Sequence, residues 1–218
     1  QIVEDGNILR ISQQLTPCFF CDDTLYEIDV PANIQIEVNS ISGDIEAYNL
    51  MGTFSIVSQS GDIMLQNLQG NVHASSSSGD IKVKQSNLED ATIETTSGKI
   101  EFSGSSAKML SKSVSGDIKI ENDIASQFML STASGDLTYI GQPASASDVT
   151  TISGDVKLTL SPESNISLSL STVSGDIKNN IDLIDLIKNP QALSGKLGDG
   201  TVPLNVHTTS GDMQISLR

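Results

Sequence analysis

The chain of 218 residues repeats an acidic side chain at one fixed place, directly after a Ser-Gly pair. Calcium prefers six to eight oxygen ligands, so a row of carboxylates could bind it or another cation. Asp44, Glu46 and Asp62 lie furthest from any compensating lysine, which makes them the candidate cation-binding residues. Of nine copies of the pair, the fourth is followed by Lys99, and the other eight are followed by Asp44, Asp62, Asp80, Asp117, Asp136, Asp155, Asp176 and Asp212.

A structural role for these aspartates is the alternative. An aspartate beside a turn glycine can accept hydrogen bonds from the amides of its own turn. The nonapeptide Gly-Gly-x-Gly-x-Asp of calcium-binding β-rolls is absent. Lysines two residues further on share the outward face and would offset the repulsion between carboxylates, at Lys82, Lys119, Lys157 and Lys178. The pattern therefore favours corner capping, and we expect neither a metal nor a cofactor.

The two cysteines lie close together in Cys18-Phe19-Phe20-Cys21. A zinc site would need two further ligands that no other cysteine can supply, and a redox motif normally lies on a strand-helix unit that the sequence does not show. A local disulfide between Cys18 and Cys21, or a passive thiol pair, is favoured. A disulfide that closes so short a loop would stabilise the fold little.

The histidines, serines and turns of the chain give little indication of a catalytic site. His73 and His207 belong to different repeats, so we expect them not to share a site. Many serines are present, but none lies in a nucleophile-turn motif. Glycosidase-like β-helices carry their acids and bases on long loops, whereas the turns here are short. We therefore expect no catalytic residues.

The Ser-Gly pairs divide the chain into repeats of nearly constant length. The glycines are 18 to 21 residues apart except for a final gap of 36, which equals two periods of 18; they are Gly43, Gly61, Gly79, Gly98, Gly116, Gly135, Gly154, Gly175 and Gly211. Before each glycine, the residues five, three and one positions away are predicted to share one face, with a hydroxyl at the second of these positions and a serine at the third. An apolar residue lies two positions after the glycine. Alternation of this kind is typical of strands, and glycine permits a bend between them. Each Ser-Gly-Asp is therefore predicted to be a corner between two short strands.

The sequence predicts an all-β fold, a single-stranded, right-handed β-helix of about nine coils of 18–21 residues. Coils stacked about 4.8 Å apart would form parallel ladders in which like residues lie above like. Ile81, Ile100, Ile118 and Leu137 should then stack in one buried column. An antiparallel sandwich would not need the same tetrapeptide in the same register nine times, and the six-residue period of left-handed helices is absent.

We expect one domain over 1–218, with atypical ends. Residues 1–35 should form an N-terminal cap that contains strands near 2–12 and 25–31. Regular coils should occupy 36–178, and 202–218 should build the last coil. Between them, 179–201 is an irregular excursion in which 181–188 could form an amphipathic helix that ends before Pro190. This excursion and Thr16–Thr24 are the candidate partner-binding segments, unless both only cap the ends.

A formal net charge of −15 and an isoelectric point near 4.2 argue against nucleic acid or anionic membrane as direct partners. No run of 18 apolar residues exists, so nothing in this chain is expected to span a bilayer. The sequence begins at Gln1 without a methionine, and we expect that a signal or anchor segment preceded it. The pattern leaves the oligomeric state open.

The repeated Thr/Ser-x-Ser-Gly-Asp-Ile, the entry Ile28-Asp29-Val30-Pro31 and the exit from Gly198-Asp199-Gly200 to Asp212 resemble the bacterial "putative adhesin" domain family and the related head-GIN β-helix domains. The resemblance implies a β-helical, extracytoplasmic protein, membrane-anchored or secreted, with no established activity. We expect a non-enzymatic, adhesin-like binding or scaffold module whose partner lies on the envelope or cell surface. The alternatives are a carbohydrate-active β-helix enzyme and a sensory ectodomain that binds a partner protein.

Overall fold

The computed structural model describes residues 2–5, 8–11, 25–31 and 33–218. The chain divides into two compact units, Gln1–Val30 and Pro31–Arg218. Cys18, Cys21 and the segment Thr16–Thr24 lie outside the described residues. The disulfide therefore stays a prediction, and so does partner binding by that segment.

The first unit contains an antiparallel hairpin of β1 (Ile2–Asp5) and β2 (Ile8–Ile11), in which Ile2 pairs with Ile11. This confirms strand structure near 2–12, whereas Gly6 and Asn7 of the expected turn lie outside the described residues. The strand expected over 25–31 is wrong, because those residues have no regular structure and Leu25 is 89% exposed. An alternating pattern forms a strand only where a second strand completes its hydrogen bonds.

The second unit is built from strands. In chain order they are β3 (Asn33–Ser42), β4 (Ile45–Tyr48), β5 (Met51–Ser60), β6 (Ile63–Gln66), β7 (Gln69–Ser78), β8 (Ile81–Ser97), β9 (Ile100–Ser115), β10 (Ile118–Ser134), β11 (Leu137–Pro143), β12 (Ser147–Ser153), β13 (Val156–Leu160), β14 (Ile166–Ser174), β15 (Ile177–Asn180), β16 (Ile184–Asn189), β17 (Ala192–Leu197), β18 (Val202–Ser210) and β19 (Met213–Leu217). We call the strand segment before each Ser-Gly-Asp corner its leading strand and the segment after it its trailing strand.

Leading strands pair with leading strands of neighbouring coils, and trailing strands with trailing strands, all in parallel register. Ile81 pairs with Ile100, Ile100 with Ile118 and Ile118 with Leu137, and all four side chains are buried. The β-solenoid and the predicted isoleucine column are therefore confirmed. The right-handed sense and the count of about nine coils stay predictions.

The core follows the alternation read from the sequence, with one correction. Residues seven, five and three positions before the glycine point inward, as Phe54, Ile56 and Ser58 do, and residues two and four positions after it also point inward, as Ile63 and Leu65 do. The serine directly before the glycine was expected on the same face but is exposed at every corner. The face therefore changes one residue earlier than predicted, since the corner already begins at that serine.

The order of the coils in the stack differs from their order in the chain. β12 pairs with β18, and β18 pairs with β14, so the corner of Gly211 lies between those of Gly154 and Gly175. The segment 202–218 is the last coil along the chain but lies one level inside the end of the stack. The coils are therefore not stacked in chain order, because the chain builds the outermost coil before it returns to the level below.

The helix expected over 181–188 is wrong, because β16 and β17 form an antiparallel hairpin there. β17 pairs antiparallel with β14 over six residues, from Ile166 opposite Leu197 to Ser171 opposite Ala192. A strand satisfies the amides and carbonyls along the outer edge of β14, which a helix could not do. Leu193 is buried by this pairing, so the hairpin covers part of the terminal coil.

Candidate functional site

The nine predicted corner glycines follow their leading strands and stack on one another along the solenoid. At Gly116 a side chain is excluded, because a Cβ built there would overlap the carbonyl oxygen of Gly98 in the neighbouring coil. Between the same two coils, the Gly98 amide donates to the Ser115 carbonyl at 3.2 Å. Glycine is therefore required here by contact between coils as well as by the bend.

The corner aspartates form a ladder from coil to coil. Oδ1 of Asp44 accepts a hydrogen bond from the backbone N–H of Asp62 at 2.9 Å, and Asp62 does the same for Asp80 at 2.8 Å. The ladder continues to the far end, where Asp155 accepts from Asp212 and Asp212 accepts from Asp176. Every corner carboxylate except that of Asp176, in the outermost coil, thus satisfies an amide of the adjacent coil, whereas the sequence suggested an amide of its own turn.

Lys99 interrupts this ladder but keeps a contact across the gap. The backbone N–H of Lys99 donates to Oδ1 of Asp80 at 2.8 Å, so the hydrogen bond to the preceding coil is preserved. Because lysine has no carboxylate, the amide of Asp117 loses the acceptor found at other corners. The Lys99 Nζ instead lies 3.5 Å from Oδ2 of Asp117, in an exposed ion pair. An exposed pair of this kind contributes little stability.

A column of hydroxyls lines the inner side of the same corners. At several corners the residue three positions before the glycine donates to the corner carbonyl of the coil beneath it, as Thr132 does to Gly116 at 3.1 Å. Thr95, Thr172 and Thr208 make the equivalent bond at 3.4 Å. The equivalent hydroxyls of Ser58 and Thr151 are buried without a hydrogen-bond partner among the described residues. Where the bond forms, a side chain satisfies a backbone carbonyl at the corner.

The candidate cation-binding group at Asp44, Glu46 and Asp62 is already engaged with protein atoms. Oδ1 of Asp44 lies in the ladder, and Oε2 of Glu46 accepts the phenol hydrogen of Tyr48 at 2.7 Å. That bond to Glu46 raises the pKa of Tyr48, since it favours the protonated phenol. Among the described residues, no group of three or more His, Cys, Asp or Glu side chains is placed to hold a metal ion.

The histidines lie far apart, as expected. Five register steps separate their coils, at about 4.8 Å each, which gives about 24 Å along the stack. His207 Nδ1 and Ser171 Oγ are 3.0 Å apart on the exposed outer face of β18 and β14. The adjacent carboxylate of Asp148 accepts from Asn205 Nδ2 at 3.0 Å. A carboxylate held by an amide does not orient the imidazole, so this grouping lacks the relay of a catalytic triad.

The sequence analysis missed an apolar surface that runs along the stack beside the corners. The residue two positions before the glycine points outward. It is apolar in the first repeat, at Ile41, and in four consecutive later repeats, from Val114 to Val173. Val114 is 53% exposed, Ile152 is 56% exposed and Val173 is 65% exposed. The register places Ala133 between Val114 and Ile152, and Thr209 between Ile152 and Val173. We call Val114, Ala133, Ile152 and Val173 the apolar stripe. Its signal in the sequence was an apolar residue at an outward position that is polar in the three preceding repeats, at Gln59, Ser77 and Thr96.

Taken together, these features define a class, the β-solenoid whose corners are closed by side chains of neighbouring coils. The chain belongs to the Toastrack DUF4097 family, whose model matches residues 2–216. The match supports the resemblance noted in the sequence at the level of an adhesin-like domain of unknown function. A search of curated proteins finds no match.

Among solved structures, one similar chain is described as a putative cell adhesion protein from Clostridium sporogenes ATCC 15579. Its identity to this chain is 10% and the TM-score is 0.28, over 84% of this chain and 93% of that one. Within the residues described above, no helix is long and apolar enough to cross a membrane.

Proposed function

We propose that the chain is a non-enzymatic binding or scaffold module of the cell envelope, and that it holds its partner through the apolar stripe. The observation that carries this proposal is the exposure of Val114, Ile152 and Val173 in one row of the stack. Exposed apolar residues scattered singly need no explanation, but apolar residues aligned in one row beside polar columns, interrupted here only by Thr209, are typical of an interaction surface.

The flat, rigid geometry of the stripe suits this role. Parallel ladders fix the spacing of its side chains at about 4.8 Å, so little conformational entropy is lost when a partner binds. The adjacent outward column carries polar residues such as Lys112, Ser131 and Thr150, which can form the rim of an interface. A partner protein with a complementary apolar ridge fits this surface.

The corner chemistry supports a non-enzymatic role. The carboxylates that recur along the chain are occupied by amides of neighbouring coils, and the exposed Ser171–His207 pair has no carboxylate to orient it. A cofactor is not part of the proposal. An envelope location, with the chain either anchored or secreted, agrees with the strongly acidic surface, which disfavours nucleic acid.

The test compares two triple-lysine variants that add the same charge to the same column. The stripe variant carries lysine at Val114, Ile152 and Val173. The control variant carries lysine at three exposed polar positions of the equivalent column, Gln59, Ser77 and Thr96. Labelled protein is titrated onto intact cells and envelope fractions, and the melting temperature of each variant is measured alongside.

We expect the stripe variant to bind at least tenfold more weakly while the control binds as the original chain does. Both should melt normally, because all six positions are exposed. Equal binding by the two variants would remove the stripe from the interface. The chain could instead hydrolyse a polysaccharide and lose that activity when one acidic residue is replaced. This result would overturn the non-enzymatic assignment and favour the carbohydrate-active alternative.

A further inference from the structure

The apolar stripe has a regular spacing that limits what can bind to it. Val114 and Ile152 are two coils apart, and so are Ile152 and Val173. Each of these steps is about 9.6 Å, because strands of adjacent coils lie about 4.8 Å apart. Ala133 lies in the first gap and Thr209 in the second, so a small or polar side chain separates the large apolar ones. The stripe therefore presents large apolar side chains with a period of about 9.6 Å over about 19 Å.

An α-helix matches this period better than a single strand does. Seven residues of a helix rise about 10.5 Å, so an apolar row that repeats every seven residues stays within about 2 Å of the stripe along its length. Side chains on one face of a strand recur about every 6.7 Å, so they are out of phase at Ile152. The stripe also lies on the side-chain face of the sheet, where a single strand finds no backbone groups to pair, whereas a helix pairs its own. The surface therefore favours a helix that lies along the solenoid axis.

Carboxylates border the stripe on the side of the corners. Each corner aspartate follows its stripe residue by three positions, so their Cα atoms are at most about 10 Å apart, which is about the diameter of a helix with its side chains. Asp136, Asp155 and Asp176 are exposed. Their carboxylates, and that of Asp212, take part in no ion pair among the described residues. The ladder holds Oδ1 of Asp136, Asp155 and Asp212 on backbone amides, so these carboxylates are fixed in place and each retains a second oxygen for a cationic partner.

The column on the opposite side of the stripe has no carboxylate beside it. This outward column lies four positions before each glycine and consists of Lys112, Ser131, Thr150, His207 and Ser171. Lys157 and Lys178 lie two positions beyond corner aspartates, but within the described part of the chain they form no ion pair that would neutralise those carboxylates. The surface is therefore apolar along its middle, acidic on the corner side and neutral or basic on the other side.

We propose that the partner contributes an amphipathic α-helix that lies along the apolar stripe, with a row of lysine or arginine residues facing the corner aspartates. One large apolar side chain of this helix enters the hollow over Ala133, between Val114 and Ile152. The inference rests on the proposed function, in which the stripe is the interface, and it adds the chemical class of the partner. Charge supports this choice, because the net charge of −15 attracts a basic helix and repels an acidic one.

The probe is a synthetic amphipathic helix of about 20 residues, which is about 30 Å long and so covers the whole stripe. It carries a leucine row that repeats every seven residues and lysines along one flank of that row. One control peptide has glutamate in place of every lysine, and a second has the composition of the lysine helix in scrambled order. Fluorescence anisotropy measures binding at about 0.15 M salt, where the Debye length is about 8 Å and distant charges are screened. One helix buries less than the roughly 1,000 Å² of a stable interface, so we expect a Kd of tens of micromolar for the lysine helix and at least tenfold weaker binding of both controls.

A substitution in the hollow tests whether the contact has the shape of a helix. Ala133→Ile makes the stripe more apolar but fills the gap between Val114 and Ile152. Binding of the lysine helix should therefore weaken about tenfold, because its apolar side chain loses that space. A surface that only attracts apolar groups would bind the same peptide more tightly after this substitution.

Two pairs of asparagine substitutions test the charge. Asp136→Asn with Asp155→Asn removes two charges beside the stripe but keeps the Oδ1 acceptors of the ladder, and it should weaken binding of the lysine helix about tenfold. Asp62→Asn with Asp80→Asn is the matched control, because both positions lie in the same column but beside polar residues, and it should leave binding unchanged. All four positions, and Ala133, are at least partly exposed, so melting temperatures should stay close to that of the original chain.

The results separate this inference from the proposed function. The helix assignment is overturned if the lysine helix does not bind up to millimolar concentration, if it binds no better than the glutamate helix, or if Ala133→Ile strengthens binding. Equal effects of the two asparagine pairs would also overturn it. In each of these cases the proposed function stands if the triple-lysine stripe variant still loses its binding to cells while its control does not, because that comparison tests the stripe against any partner.

Discussion

Ile118 lies in the middle of the stack, so truncating it to alanine tests the inward face of the solenoid. Its side chain is 1% exposed and lies between Ile100 and Leu137 in the parallel register. The three carbons lost are worth about 0.8 kcal/mol each, or about 2.4 kcal/mol. A residual cavity of about 60 Å³, at about 24 cal/mol per Å³, adds about 1.4 kcal/mol. Neighbours in a continuous ladder cannot collapse freely, so we expect a loss of about 3–4 kcal/mol.

Urea unfolding followed by far-ultraviolet circular dichroism measures this loss as a shift of the midpoint at constant slope. The matched control is Val114→Ala, because Val114 precedes the same corner and is 53% exposed. The control should change the free energy of unfolding by less than about 0.5 kcal/mol. A change below about 0.5 kcal/mol at Ile118, or an equal loss at both positions, would refute the assignment of the inward face.

Four further predictions concern the corners and the buried polar groups. Gly116→Ala should destabilise by about 3 kcal/mol or prevent folding, because its Cβ meets the carbonyl of the adjacent coil, whereas Gly43→Ala, with open space around it, should cost about 1 kcal/mol in thermal unfolding. Ser111 is buried with an unpaired hydroxyl, so Ser111→Ala should stabilise by about 1 kcal/mol in urea. Calcium at millimolar concentration should leave the melting temperature the same as in chelator, because protein amides occupy the corner carboxylates. Burial raises the pKa of the Tyr139 phenol, so the original chain should lose stability above about pH 10 more steeply than Tyr139→Phe does.

The sign of the last prediction follows from linkage. A folded-state pKa above the unfolded value means that folding favours the neutral phenol, so the stabilisation is complete below the unfolded pKa of about 10 and is lost as the pH rises above it. Parallel stability curves for the two proteins would contradict this. A rise of many degrees with calcium would establish a cation site at the corners. If Gly116→Ala and Gly43→Ala lose equal stability, glycine is required by the backbone angle and not by contact between coils. If Ser111→Ala lowers the stability, the Ser111 hydroxyl has a hydrogen-bond partner.

The sequence alone determined the shape of one coil. Whether a residue points inward is a local property, since it follows from the alternation along a strand and from the bend at each corner. Positions such as Ile81 and Ile118 could therefore be assigned to the core without knowledge of their neighbours. The exposed serine before each glycine was misplaced by one residue, because the pattern does not show where within Ser-Gly-Asp the bend begins.

Only the tertiary structure decided which coil lies on which. Corners that share Thr-x-Ser-Gly-Asp present nearly identical ladders, so the sequence offers the corner of Gly154 no local reason to choose that of Gly211 over that of Gly175. The same holds for the excursion, where an amphipathic pattern over 181–188 suggested a helix but the unpaired edge of β14 pairs with β17. Pairing between distant segments depends on which backbone groups remain unsatisfied once the other strands are placed, and that is a property of the whole fold.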